Sequence, residues 1–213
     1  MKTMNTQKLP LPALRAFPAA LLPLLLAASL HAQTVIDVPN GITNVTTNLT
    51  YDGSAGAQQL IIARGNTSSF LIGNSATLTI SNHNNSNTPN YAGAIYVATK
   101  AKLTIAPQTS GGSGVAVFDN NTACFSISHG GGAINTSATS TLVVTNALFT
   151  NNAVALVGGA VLNTGTATVT SATFANNYAN YAGALYNADK NASATLANVA
   201  FIDNRSAAGA GAV

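Results

Sequence analysis

Apolar and polar positions alternate along this chain in short runs, and the runs recur. From Thr141 to Asn163 an alternating apolar stretch leads to Phe149, then to Asn151-Asn152, then to small residues centred on Gly158-Gly159-Ala160. Copies flank it. Phe118, Phe149, Phe174 and Phe201 are each followed three residues later by Asn121, Asn152, Asn177 and Asn204, at intervals of 31, 25 and 27 residues. Alternation over Thr, Val and Ala predicts strands, and a period of this length predicts a solenoid in which each repeat stacks on the next. The expected class is all-β, with each coil about 25 residues of short strands joined by bends.

The columns of this alignment predict what fills the coils. Val144, Val169 and Leu196 stand five residues before the Phe, an odd separation that one flat strand would turn to opposite faces. Asn146, Ser171 and Asn198 lie between, and their short polar side chains suit a bend that returns both columns to the inside. With like residues one strand spacing apart, about 4.8 Å, the four Phe are expected to stack and the Asn to form buried ladders. A glycine landmark closes each repeat at Gly131-Gly132-Ala133, Gly158-Gly159-Ala160 and Gly183-Ala184, where corners are tight. Tyr91 to Tyr96 (YAGAIY) repeats as Tyr181 to Tyr186 (YAGALY).

Three segments are expected. Residues 1–32 read as a secretory signal peptide, with Lys2, Lys8 and Arg15 before an apolar run from Ala19 to Leu30. Residues 33–100 read as an N-terminal cap with looser first coils, and residues 101–213 as regular coils interrupted by a Gly/Ser loop at Thr109 to Gly114. About seven coils fit the length after the leader. The chain stops inside its last glycine landmark, at Val213, which predicts that a longer protein continues beyond it.

Charge narrows the function. The chain has eight Lys and Arg, five Asp and no Glu, and its formal +3 resides in the leader. The remainder is neutral, so nucleic acid is not an expected partner. Cys124 is the only cysteine and excludes an internal disulfide.

The pairing of Phe-x-x-Asn with Gly-Gly-Ala-Ile or Gly-Gly-Ala-Val, at Gly131 to Ile134 and Gly158 to Val161, resembles the repeat signature of the polymorphic outer membrane proteins. These are autotransporter-like proteins with parallel β-helix passengers. The resemblance spans roughly Tyr91 to Val213. It implies a right-handed parallel β-helix and an exported protein at the cell surface, in the outer membrane or outside the cell. It also implies adhesion or antigen display toward a host or surface protein or glycan. Membrane anchorage would come only through a C-terminal barrel, which is not in this chain.

Chemical motifs have plainer explanations. His129-Gly130-Gly131-Gly132 resembles the glycine-rich oxyanion loop of some lipases, but no G-x-S-x-G nucleophile elbow accompanies it. Asp119 and Asp203 occupy near-equivalent corners three coils apart, about 14 Å, beyond the reach of a glycosidase pair. His83 and His129 lack partners at metal-ligand spacing. No catalytic, cofactor or metal residue is therefore expected. The expected role is surface presentation without catalysis. The rivals are a carbohydrate-active β-helix enzyme and a structural or ice-contacting solenoid. Thr166, Thr168 and Thr170 offer a single row toward the latter. Tyr178 and Tyr181 are candidates for contact with a sugar or protein.

Overall fold

The computed structural model describes residues 34–53, 58–85, 93–123 and 130–213. The leader (1–32), Cys124 and His129 lie outside them. Among the described residues the chain makes six passes and no helix. The first pass holds β1 (Thr34–Asp37), β2 (Gly41–Val45) and β3 (Leu49–Asp52). The second holds β4 (Gln58–Ile62), β5 (Thr67–Ile72), β6 (Thr77–Ser81) and β7 (Asn84–Asn85). The third holds β8 (Ile95–Val97), β9 (Lys102–Pro107), β10 (Val115–Asp119) and β11 (Thr122–Ala123). Then come β12 (Ile134–Thr136) with β13 (Thr141–Thr150), and β14 (Val161–Asn163) with β15 (Thr166–Ala175) and β16 (Tyr178–Ala179). The last pass holds β17 (Leu185–Asn187), β18 (Ser193–Ile202) and β19 (Arg205–Ser206).

Every strand pairs in parallel with its counterpart one pass away. One sheet runs β1-β4-β8-β12-β14-β17. The second runs through β2-β5-β9 on one side and β3-β6-β10 on the other, and both halves join the long strands β13, β15 and β18. This nearly all-β arrangement of parallel sheets is compatible with a β-solenoid. Both sheets continue through residue 100 without interruption, since β5 pairs β9 and β4 pairs β8. Among the described residues six passes stand where the length predicts about seven, because the early repeats are long. Hydrogen-bonded equivalents are 38 residues apart between His83 and Asn121 and only 25 apart between Asn152 and Asn177.

The long strands bend where a polar residue separates their two apolar halves. Asn146, Ser171 and Asn198 adopt φ of 59°, 53° and 53°, the left-handed region that Asn tolerates through local side-chain bonding. The bend turns Val144 and Phe149, and likewise Val169 and Phe174, into one core. In the third pass the bend is replaced by the loop at Thr109 to Gly114, and the Asn146 amide donates to the Gly114 carbonyl at 2.8 Å.

Stacking follows from register. Phe118, Phe149, Phe174 and Phe201 are mutual strand partners. Successive ring centroids lie 4.5, 4.5 and 5.2 Å apart, the first two pairs within 5° of coplanar. Isolated aromatic pairs favour offset or edge-on contact. Here the 4.8 Å strand repeat imposes near-parallel rings. On the other side of Phe118 the column continues as Ile80 and Tyr51.

At the glycine corner Gly131 and Gly158 have φ of 77° and 66°, and the next position in that column is Ala182 at 49°. A left-handed alanine costs roughly 1–2 kcal/mol, partly offset by the lower chain entropy it loses on folding. Ala182→Gly is therefore expected to stabilise the fold by roughly 0.5–1 kcal/mol, read as a higher urea midpoint at unchanged slope.

Candidate functional site

Among the described residues the polar side chains gather in two interior systems and in surface clefts, one beside the loop at Ser110 to Gly112 and one on the outer corner of the last two passes. The first system is the ladder of the buried Asn121, Asn152 and Asn177 with the half-buried Asn204. Each of the first three places its Nδ2 between the Oδ1 of the next Asn and a carbonyl one strand spacing the other way. Asn121 donates to Asn152 Oδ1 (2.9 Å) and the Ile80 carbonyl (2.9 Å). Asn152 donates to Asn177 Oδ1 (3.0 Å) and the Phe118 carbonyl (3.0 Å). Asn177 donates to Asn204 Oδ1 (2.8 Å) and the Phe149 carbonyl (3.0 Å). Backbone N–H groups of Asn121, Asn152 and Asn177 also donate to the Oδ1 of the following Asn. Every amide valence of Asn152 is thus used, and the ladder holds strand ends together rather than offering free groups to a ligand.

His83 occupies the ladder position of the second pass. It is 1% exposed, and its Nδ1 lies 3.0 Å from Asn121 Oδ1, which also accepts the His83 backbone N–H at 3.3 Å. The Asn121 amide nitrogen is already committed to Ile80 and Asn152, so Asn121 presents an acceptor and His83 Nδ1 must carry the proton. Nε2 then holds a buried lone pair with no partner among the described residues. Burial lowers the His83 pKa below 6.5, against smaller opposing effects of Asn121, the Ser81 backbone and the Asp52 charge. With a depressed folded-state pKa the unfolded chain binds the extra proton first. Stability from this group is therefore complete above pH ~6.5 and is lost as pH falls through the folded-state value, at about 1.4 kcal/mol per unit of separation. His83→Asn should restore the ladder residue and flatten that acid limb. Urea midpoints from pH 7.5 to 4.5 test this, and parallel profiles for the two chains would contradict it.

A second ladder, formed of unlike residues, escapes sequence reading. Thr136 donates to Asn163 Oδ1 (2.9 Å), and Asn163 donates to Asn187 Oδ1 (2.7 Å) and the Ser193 carbonyl (2.9 Å). At Gly131, Gly132, Gly158, Gly159 and Gly183 each backbone N–H donates to a carbonyl of the following pass, as Gly132 does to Gly159 (2.9 Å), so these five offer no donor to an oxyanion.

The register keeps Asp119 three passes from Asp203, and a different pair of acids lies closer. Asp52 and Asp119 both pair with Ser81 in the sheet register, two strand spacings or about 9.6 Å apart. Each accepts from an asparagine amide, Asp52 from Asn82 (3.1 Å) and Asp119 from Asn151 (2.9 Å). Asn120 in turn donates to Asn82 Oδ1 (2.9 Å), so this outer corner row is sewn to itself. Among the described residues no group of three or more His, Cys, Asp or Glu is placed to hold a metal. The Thr row is repeated more than its sequence indicates. Thr166 lies between Thr141 and Ser193, and Thr170 between Thr145 and Ala197, but Val143 and Ala197 break the lattice.

The cleft lies on the same outer corner, in the last two passes. It has a volume of about 380 Å³ and is lined by Asn176, Asn177, Tyr178, Asp203 and Arg205. The left-handed corner residues Asn176 (φ 55°) and Asp203 (φ 50°) continue the row of Asn82, Asn120 and Asn151. Parallel pairing of β16 with β19 puts Tyr178 beside Arg205, while Ala153 is its neighbour on the other side. Tyr178 is 48% exposed. Tyr181, 43% exposed, does not line the cleft. The side chains of Asn176, Tyr178, Asp203 and Arg205 make no hydrogen bond or ion pair among the described residues. Asp203, too remote from Asp119 to act with it, lies instead in a cleft with Arg205 and Tyr178, a grouping the sequence does not display. The clue was the shared position after Phe-x-x-Asn, where Tyr178 follows Asn177 and Arg205 follows Asn204. Against this geometry, no family model, no curated protein and no solved structure matches the chain.

Proposed function

We propose that the chain is an exported bacterial surface protein whose right-handed parallel β-helix, preceded by a signal peptide, works as a stiff stalk for adhesion or display. Catalysis has no part in this role. The observation that carries the proposal is the in-register stack. Phenylalanine lies on phenylalanine and amide on amide across successive passes, each Asn of the ladder bonding to the next. Such an interior transmits rigidity along its axis and leaves corners and loops free to vary. The resemblance to polymorphic outer membrane protein repeats supports the location and the handedness. Membrane anchorage would require a C-terminal barrel of the kind such passengers carry, which is not in this chain.

Two measurements on cells producing the natural protein test the proposal. The mature N-terminus should fall within a few residues of Gln33. An amine reagent that cannot cross membranes should label the exposed Lys100, Lys102 and Lys190 on intact cells. A chain that keeps Met1 and labels only after lysis would refute surface display.

A further inference from the structure

We infer that the corner cleft at Tyr178 and Arg205 binds a single neutral sugar ring, a hexopyranose unit of a glycan. The inference rests on the surface-display reading and gives it a ligand class. The contrast along the corner row supports it. From Asp52 to Asn151 each outer amide donates back to the preceding pass, whereas Asn176, on the same row, reaches no partner there among the described residues and, with Asp203, faces a cleft with Tyr178 and Arg205.

The chemistry of these four groups selects the ligand. Arg205 supplies a fork of donors, Asp203 accepts only, and Asn176 and the Tyr178 hydroxyl do both. One cation and one anion share the cleft without pairing, so a charged ligand attracted by one is opposed by the other. A polyhydroxylated neutral ring satisfies both, with one hydroxyl donating to Asp203 and another accepting from Arg205. The Tyr178 ring offers an apolar face for the sugar C–H groups, and Ala153 beside it leaves that side unobstructed. A volume of about 380 Å³ suits one ring at the small end of ligand pockets. For a ligand of this size an open site predicts a dissociation constant of about 1 mM.

The test is saturation-transfer NMR on the full natural chain. The probes are the methyl glycosides of glucose, galactose and mannose, with N-acetylneuraminic acid and glucosamine as charged controls. At least one neutral glycoside should receive saturation and titrate near millimolar. Tyr178→Ala should weaken it tenfold or more, Asp203→Asn and Arg205→Met should each weaken it severalfold, and Tyr181→Ala should leave it unchanged. All variants should keep the wild-type circular dichroism, because these side chains are exposed. No transfer to any neutral glycoside, transfer undiminished by Tyr178→Ala, or tighter binding of a charged control would each overturn the inference. Lysine labelling of intact cells separates the two claims. Labelled cells without glycoside binding sink only the sugar site, whereas unlabelled cells sink surface display whatever binds.

Discussion

Asn152→Asp is expected to remove about 3–5 kcal/mol of stability at pH 7 and to regain part of it on acidification. Asn152 is fully buried, and the substitution keeps its shape while exchanging a donor for an acceptor. The Phe118 carbonyl and Asn177 Oδ1, each 3.0 Å from Nδ2, would then face a carboxylate oxygen, and a charge would sit in the core without a counterion. Desolvation and these two oxygens raise the folded-state pKa of the introduced carboxyl above its unfolded value of about 3.9. The folded chain then binds the proton more tightly, so stability rises as pH falls through that raised value. Once protonated, the carboxyl donates one bond where the amide donated two, and recovery stays partial. The wild-type acid limb from His83 runs in the opposite direction, so the variant belongs in a His83→Asn background. Urea unfolding at pH 7 and 4.5 provides the readout. A variant that loses less than about 1 kcal/mol, or that fails to recover in acid, would show that the ladder does not carry the load assigned to it.

The same residues explain how much of the protein could be read from its sequence. A parallel in-register stack writes itself as identity at one period, so the Phe and Asn columns and the bends at Asn146, Ser171 and Asn198 were legible. Where the stack uses unlike residues the signal vanishes. Thr136, Asn163 and Asn187 build a ladder with no repeated letter until its last step. His83 stands three residues after Ile80 as Asn121 does after Phe118, and only the pairing Ile80 with Phe118 reveals the match. Repeat length varies along the chain because loops at corners can lengthen without disturbing strand register, at a cost that grows only slowly with their length. The cleft was the least legible feature. Its lining comes from two passes, and its composition depends on which residues happen to adjoin across 27 positions of chain.

Gly159→Ala is expected to cost about 3 kcal/mol or more, although it adds a single methyl group. A Cβ at Gly159 would overlap the Gly183 carbonyl oxygen and approach both N and O of Tyr178 to 2.7 Å. These are backbone atoms of the neighbouring pass and no rotamer change can move them aside. Relief requires the two passes to separate, which weakens Gly159 N–H to the Ala182 carbonyl (3.1 Å) and Ala160 N–H to the Ala184 carbonyl (2.9 Å). At 2–4 °C per kcal/mol for a chain of this size, the melting temperature should fall by roughly 6–12 °C. Gly73→Ala is the control, since its nearest neighbour, the Val45 carbonyl, lies 3.3 Å away and can yield by a few tenths of an ångström. Because each pass contacts only its neighbours, the damage should centre on one interface. Hydrogen exchange should quicken first at Gly159, Ala160 and Val161, whose amides bond to the following pass, while β5 and β9 keep their protection. Uniform acceleration along the whole chain would mean that the passes unfold as one unit and that nearest-neighbour contacts do not set local stability. A melting temperature within about 2 °C of wild type, less than 1 kcal/mol, would mean that the corner is looser than its glycine column implies.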